Sequence, residues 1–261
     1  MSEPLALYEL RAPAAVITLN RPDRRNAISR GLIAALTEAF RRATDDAEVR
    51  CVILTGAGSV FCAGMDLAEL AESLSLAVAP ASVWDDALRL AALYDCIYSL
   101  PKPTIAAVNG AAVAGGAGLV TVCDLAIAST EARFGYPEVR RGLVAAMVMP
   151  HLLRHVGDRM ARYLLLTGEV IDAEQAGRCG LVNEVVPAGE VMATASAWAR
   201  SLAEGGPQAL AATKDLLKRF SRQALSVEEA SRASAAPRLG DECRAGLEAF
   251  FAKRPAPWAP R

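Results

Sequence analysis

Two glycine-bearing segments are the residues of this chain best suited to chemistry. The first is Phe61-Cys62-Ala63-Gly64-Met65-Asp66-Leu67. The second is Asn109-Gly110-Ala111-Ala112-Val113-Ala114-Gly115-Gly116-Ala117-Gly118-Leu119. Each follows an apolar run that reads as a buried strand and precedes a stretch that reads as a helix. The first N–H groups of a helix have no intrahelical acceptor and sit at the positive end of its dipole. Two such ends directed at one spot make a site for an anion or a developing oxyanion. Glycine lets a ligand approach the backbone closely. The plain alternative is that these glycines only turn the chain, and for either segment alone it is the better reading.

Other chemistries fit less well. After Leu54 the chain runs Gly56-Ala57-Gly58-Ser59-Val60-Phe61, which lacks the third glycine of a dinucleotide fingerprint. No GKS or GKT follows either loop, so a nucleotide site has weak support. His151 and His155 are one helical turn apart, but HLLRH lacks the glutamate of HExxH, so a structural role is expected. Ser29 and Ser59 lack the GxSxG elbow of a serine hydrolase. Cys51, Cys62, Cys96, Cys123, Cys179 and Cys243 form no CxxC pair and read as reduced thiols of a cytoplasmic protein. Asp124 and Glu131 read as structural.

The elements that must position these residues follow from periodicity. Ala14–Leu19 reads as a strand, and 20–26 as a charged loop. Ser29 is placed to cap a helix whose apolar face is Leu32, Ile33, Leu36, Ala39, Phe40 and Ala43. Further strands are expected at Val49–Leu54, Thr104–Val108, Asp124–Ala128 and Val182–Val186. A helix is expected to start at Asp66, and Trp84, Leu88, Ala91, Tyr94, Ile97 and Tyr98 make a helical stripe ended by Pro101 and Pro103. Residues 115–118 read as a Gly-rich loop. Helices dominate from Met147, and 207–261 is rich in helix formers. Recurring strand–loop–helix units indicate an α/β class with parallel strands.

Bulk properties exclude some partners. The chain has 261 residues, 53% of them hydrophobic, and a formal charge of -1. That length can bury a large core, in one domain or two. The near-zero charge supplies no basic field for nucleic acid and no single-sign field for a membrane surface. Residues 1–11 carry Glu3 and Glu9 rather than a basic start and an apolar run, so no targeting segment is expected. The longest apolar stretch, 105–122, holds Asn109, Gly110, Gly115, Gly116 and Gly118, and no membrane span is expected there.

Five segments together resemble one family. FCAGMDL at 61–67 and KPTIAAVNG…AGG at 102–116 resemble the two signature loops of the crotonase (enoyl-CoA hydratase/isomerase) family. FGYPEVRRGLV at 134–144 resembles its acid-bearing segment, LTGEVIDAEQAGRCGLVNEVV at 166–186 the segment after its helical turn, and RPDRRNAIS at 21–29 its first CoA loop. Order and spacing match over nearly the whole chain.

The resemblance implies a ββα spiral core over 1–200 and a helical region over 201–261 that covers the active site and builds trimers or paired trimers. It implies a coenzyme A thioester as substrate and partner, with no separate cofactor and no metal. By position in the motifs, the oxyanion donors are the N–H groups of Met65 and Gly115, and Glu138 is the acid/base. The surrounding motif, not the residue itself, singles out Glu138; a lone glutamate is more often a solvated loop carboxylate. Arg24 and Arg25 would meet CoA phosphates, although solvated loop charge is nearly as good a reading. Ala27 would offer backbone along the adenine or pantetheine path. Ala63, Asp66, Leu67 and Gly116 belong to the signature loops, with Asp66 better read as a helix cap. Phe250 and Lys253 match family positions that approach CoA, sometimes from a neighbouring subunit; on residue type alone they are packing and surface.

Two departures from the family pattern bear on the reaction. Hydratases of the family resemble one another in a second glutamate after the Gly-rich loop; here the position is Gly118. With one acid the simplest task is moving a proton between two carbons of one substrate, as the family's isomerases do; hydration with Glu138 alone needs another group to position the water, and a non-catalytic CoA-ester binder or a different chemistry such as decarboxylation is the alternative. Ala145-Ala146-Met147 stands where many members have a Pro/Gly turn, and it is expected to line the acyl pocket.

Overall fold

The computed structural model describes residues 3–69, 80–222, 245, 249, 252–255 and 257. Elements run in the order β1 (Ala6–Arg11), β2 (Ala14–Leu19), α1 (Arg30–Asp45), β3 (Cys51–Gly56), β4 (Val60–Cys62), α2 (Pro80–Ser99), β5 (Thr104–Val108) and β6 (Ala111–Val113). They continue with α3 (Gly115–Val122), β7 (Leu125–Ser129), β8 (Arg133–Gly135), α4 (Met149–Thr167), β9 (Val170–Asp172), α5 (Ala173–Arg178), β10 (Glu184–Val186), α6 (Val191–Ala203) and α7 (Pro207–Arg222).

The strands form two sheets. One has the order β1-β2-β3-β5-β7-β10 and the other β4-β6-β8-β9. Consecutive strand pairs β3/β4, β5/β6 and β7/β8 each place one strand in each sheet, and β4 and β6 lead on into helices, so the chain advances as a ββα spiral. Pairing is parallel except at β1/β2 and β8/β9, which are antiparallel.

Alternation along the strands of the larger sheet sends side chains to two separate cores. Ala15, Ile17, Val52, Leu54, Ala106 and Val108 meet Leu32, Leu36 and Phe40 of α1. Ala14, Val16, Cys51, Ile53, Ile105 and Ala107 meet Val191, Ala195 and Ala199 of α6. With both faces covered, these strands are continuously apolar. Fully burying one leucine or phenylalanine here contributes roughly 1.5–3 kcal/mol.

Helix α1 follows its sequence pattern. Ser29 Oγ accepts from Leu32 N–H at 3.1 Å, and the buried face is Leu32, Ile33, Leu36, Ala39, Phe40 and Ala43. Helix α2 differs from expectation. Its core face is Leu90, Leu93, Tyr94 and Ile97, whereas Leu88 is exposed. Apolar residues surround this helix, so more than one stripe satisfies a 3.6-residue period; the face that packs on α1 and α3 decides. Trp84 lies outside the described side chains. Residues 115–118 also differ: they are the first turn of α3 rather than a loop. That turn fits only because Gly116 packs on Cys62, where a Cβ would lie 2.2 Å from the Cys62 carbonyl oxygen.

No helix among the described residues is long and apolar enough to cross a membrane. The stretch at 105–122 is instead two buried strands and a short helix.

Candidate active site

Register in the smaller sheet brings the chemistry-bearing segments together. Strands β4, β6 and β8 are parallel neighbours, pairing Val60 with Ala111, Cys62 with Ala112, Ala112 with Phe134 and Val113 with Gly135. Their carboxyl ends therefore lie side by side. Residues 63–65, 114–115 and 136–138 leave from that edge, the usual place for a ligand in a parallel sheet.

The two glycine turns touch. Gly64 has φ of +90°, and a Cβ there would lie 2.9 Å from Ala114 Cβ, 2.9 Å from the Val113 carbonyl oxygen and 3.4 Å from Gly115 N. Only glycine meets both the conformation and the contact. Ala114 is itself at φ 51° and ψ -124° and donates its N–H to the Gly135 carbonyl at 2.8 Å. Such a conformation costs a non-glycine residue about 1–3 kcal/mol and recurs at functional sites.

Met65 is held by a parallel bridge to Ile28. Ile28 N–H donates to the Gly64 carbonyl at 2.8 Å, and Asp66 N–H donates to the Ile28 carbonyl at 2.9 Å. In this pattern the N–H of Met65 itself points away from Ile28. Gly115 is the first residue of α3, so its N–H has no intrahelical acceptor. Neither of these two N–H groups donates to another group among the described residues.

Met65, Gly115 and Glu138 all line one cavity of about 330 Å³. Glu138 sits in a short 3-10 turn, Pro137–Arg141, that ends at Gly142 with φ of 68°. Its Oε2 is buried. Ile33, Leu67, Leu90, Leu143, Val144, Ala145, Ala146, Met147 and Val148 supply apolar wall, and Arg30, Glu69 and Asp86 add a charged rim. Arg30 and Asp86 form a bidentate ion pair. Ala145, Ala146 and Met147 all line this cavity. The arrangement offers two backbone donors and a carboxylate around one largely apolar cavity, which is what stabilising a developing oxyanion and moving a proton next to it require.

Of the residues singled out by sequence, Ala63, Met65, Leu67, Gly115 and Glu138 are brought together around this cavity. Arg24, Arg25, Ala27, Asp66, Gly116 and Lys253 lie outside its lining. Arg24 and Arg25 are exposed and make no ion pair among the described residues. Their loop is nonetheless bound to the first glycine turn, because Ala63 N–H donates to the Arg25 carbonyl at 3.0 Å. Lys253 is exposed, and Phe250 lies outside the described residues. Asp66 Oδ1 accepts from Ala68 N–H at 3.1 Å, as a cap does.

Three residues escaped the sequence reading. Arg21 donates to the Ala27 carbonyl and to Asp66 Oδ2, at 2.9 Å for the latter, tying 21–28 to the first turn. Burial pushes the Asp66 carboxyl up, but the Arg21 hydrogen bond and two backbone N–H groups outweigh it and hold the group below its ordinary value. Asn26 is fully buried; its amide donates to the Ala57 and Val60 carbonyls and its oxygen accepts from Arg21 N–H. Tyr94, buried on α2, donates to the Gly115 carbonyl at 2.7 Å. Burial, joined by Cys62, Tyr136 and Glu138, raises the Tyr94 phenol well above its ordinary value, so it stays a protonated donor. Burial also pushes the Cys62 thiol up to about 12, which makes it an unreactive neighbour. The sequence signal for Asn26 and Arg21 was a polar residue inside a motif; for Tyr94 there was only its place on an apolar stripe.

The other candidates are structural. His151 meets Tyr98 edge-on at 4.9 Å and contacts Arg154, and His155 Nε2 contacts the Thr121 carbonyl at 2.9 Å. Asp124 accepts from Thr104 and Lys214. No cluster of three or more His, Cys, Asp or Glu able to hold a metal occurs among the described residues.

Comparison with known proteins gives a consistent picture. A family model described as enoyl-CoA hydratase/isomerase matches residues 9–261. A Thermus thermophilus protein provisionally named enoyl-CoA hydratase is 42% identical over 245 residues, covering 92% of this chain and 95% of the relative. The 2,3-dehydroadipyl-CoA hydratase of Escherichia coli is 35% identical over 242 residues, 92% of each chain. The crystal structure of an enoyl-CoA hydratase from Shewanella pealeana superposes with a TM-score of 0.92 at 30% identity, covering 97% of this chain and 96% of the other.

Proposed function

The chain belongs to the enoyl-CoA hydratase/isomerase family, and on that premise we propose that it moves a proton on an enoyl-CoA thioester through an enolate-like species. The Met65 and Gly115 N–H groups bind the thioester oxygen, and Glu138 is the acid/base. The observation that carries this reading is that these two donors, unengaged among the described residues, and Glu138 line one cavity.

The chemistry follows from charge. Developing negative charge beside a thioester carbonyl collects on its oxygen. Fixed donors in a dry site stabilise that charge, and losing one in comparable sites costs roughly 3–4 kcal/mol. In double-bond migration Glu138 takes a proton from C2 of a 3-enoyl-CoA and returns it at C4. In hydration the water oxygen bonds to C3, and its proton reaches C2 through the same carboxylate. Both routes restore Glu138. Gly118 favours migration, while the names of the relatives favour hydration. The reaction needs no metal or redox group, since N–H donors take up the charge and Glu138 the proton.

The remaining assignments belong to the same reading. Arg24, Arg25 and the Ala27 backbone lie along the CoA path, with Ala63, Asp66, Leu67 and Gly116 forming and bracing its loops, and Phe250 and Lys253 approach CoA from the C-terminal region. Residues 1–200 are the catalytic core and 201–261 the assembly region of a homotrimer or pair of trimers. Exposed Tyr163, Leu166, Leu217 and Phe220 support self-association. The free thiols Cys51, Cys62, Cys96, Cys123 and Cys179 fit the reducing cytoplasm.

Two absorbance assays test the reading, one following loss of 2-enoyl-CoA on hydration and one its formation from 3-enoyl-CoA. Glu138→Gln is expected to lower whichever activity is present by about 100-fold or more while acyl-CoA binding persists. Full activity in that variant removes Glu138 from the mechanism. Binding without turnover by the natural chain would make it a CoA-ester binder on the same scaffold.

A further inference from the structure

Gly118, where hydratases of the family carry a second acid, opens onto no free space. A Cβ there would lie 2.4 Å from Val148 Cγ1, 2.7 Å from Tyr94 Oη and 2.9 Å from Tyr94 Cζ. The volume that a side chain at 118 needs is filled by the phenol of Tyr94. That hydroxyl is also hydrogen-bonded at 2.7 Å to the carbonyl of Gly115, which lines the cavity. A Cβ on Gly115 would approach the same oxygen to 3.1 Å. Tyr94 lines the cavity with Glu138 and is otherwise wholly buried in the core between α1, α2 and α3.

We propose that Tyr94 is the positioning residue of the Gly115 donor, and that its phenol closes the position a second acid would occupy. Gly115 opens α3 directly after Ala114 at positive φ, and the Tyr94 hydroxyl braces its carbonyl in addition to the helix's own hydrogen bonds. Holding its carbonyl limits rotation of the 115–116 peptide and so braces the N–H of the adjoining 114–115 peptide. The site is therefore built around one acid: Glu138 moves the proton, and the space at position 118 is committed to aligning the backbone donor. This rests on the reading of Gly115 as an oxyanion donor.

The test replaces Tyr94 with Phe, which keeps the ring and removes the hydroxyl, and with Met, which fills similar volume by other means. Three quantities are read: kcat and KM with enoyl-CoA substrates, the carbonyl stretch of a bound non-reacting acyl-CoA labelled with 13C at the thioester, and the melting temperature. Both variants are expected to lower kcat about tenfold with KM changed less than twofold. The downshift of the bound carbonyl band should shrink in parallel. A merely structural role would lower the melting temperature and leave the band of the folded protein where it was. Wild-type kcat and an unchanged band in Tyr94→Phe overturn the inference, as does failure of both variants to fold, which would make Tyr94 a packing residue. If the wild-type protein neither turns over enoyl-CoA esters nor shifts the band, the proposed function itself fails; a wild-type shift retained in the variants contradicts only the role of Tyr94.

Discussion

The two sides of the cavity are made of different material. One side is backbone: Met65, Ala114 and Gly115, with Gly64 packed on the latter two and the turns set by the register of β4 and β6. The other is side chains on 143–148, of which Val144 is 73% exposed and Met147 37%. The first side has little slack, because its closest contacts are between the turns themselves, down to 2.9 Å for a Cβ on Gly64. The second can change shape by substitution without disturbing a strand. Under the proposed function this difference divides the labour: the backbone side would fix which reaction step is stabilised, and the side-chain side which acyl group reaches it.

The most severe way to break this contrast is Gly64→Ala. The new Cβ would meet Val113 O and Ala114 Cβ at 2.9 Å, on a residue at φ +90°. The expected outcome is a fall in kcat of about 100-fold, the scale of losing one oxyanion donor, with a melting temperature lowered by strain of about 1–3 kcal/mol. Near-normal kcat would show that the turn has slack after all.

A smaller effect sharpens how the backbone side is braced. The Arg21–Asp66 pair holds the first glycine turn to the preceding loop. Because the folded Asp66 carboxyl is held below its ordinary value, its contribution is present above the unfolded value of about 3.9 and is lost as pH falls through the folded one. The melting temperature of Asp66→Asn should therefore lie below wild type at pH 6, and the gap should close on acidification below about pH 4. A gap that persists in acid would assign the loss to packing rather than charge.

The smallest effect is expected on the side-chain wall. Val144→Ala should change stability by less than about 0.5 kcal/mol. It should raise KM for longer acyl chains about fivefold, from roughly 1 kcal/mol of lost apolar contact, and leave kcat alone. A loss of kcat would mean that the wall also shapes the reacting centre.

The same contrast explains what the sequence could say. Helix α1 was legible to the residue because a single apolar stripe and the Ser29 cap agree. Strand β5 was legible because Pro103 and a continuous apolar run bound it. Strands β4, β6, β8 and β9 have three residues each, too few to display a period, and they emerge only from pairing with one another. Yet these strands align the glycine turns. Met65, Gly115 and Glu138 were therefore singled out through motifs rather than through periodicity. Tyr94 was visible only as an apolar stripe member, since its hydroxyl's partner is a carbonyl 21 residues away.

The most direct test is a crystal structure with an acyl-CoA bound. The thioester oxygen is expected within about 3 Å of both Met65 N and Gly115 N, with Glu138 reaching the α carbon. A carbonyl bound elsewhere, or held by only one of these two amides, would contradict the account.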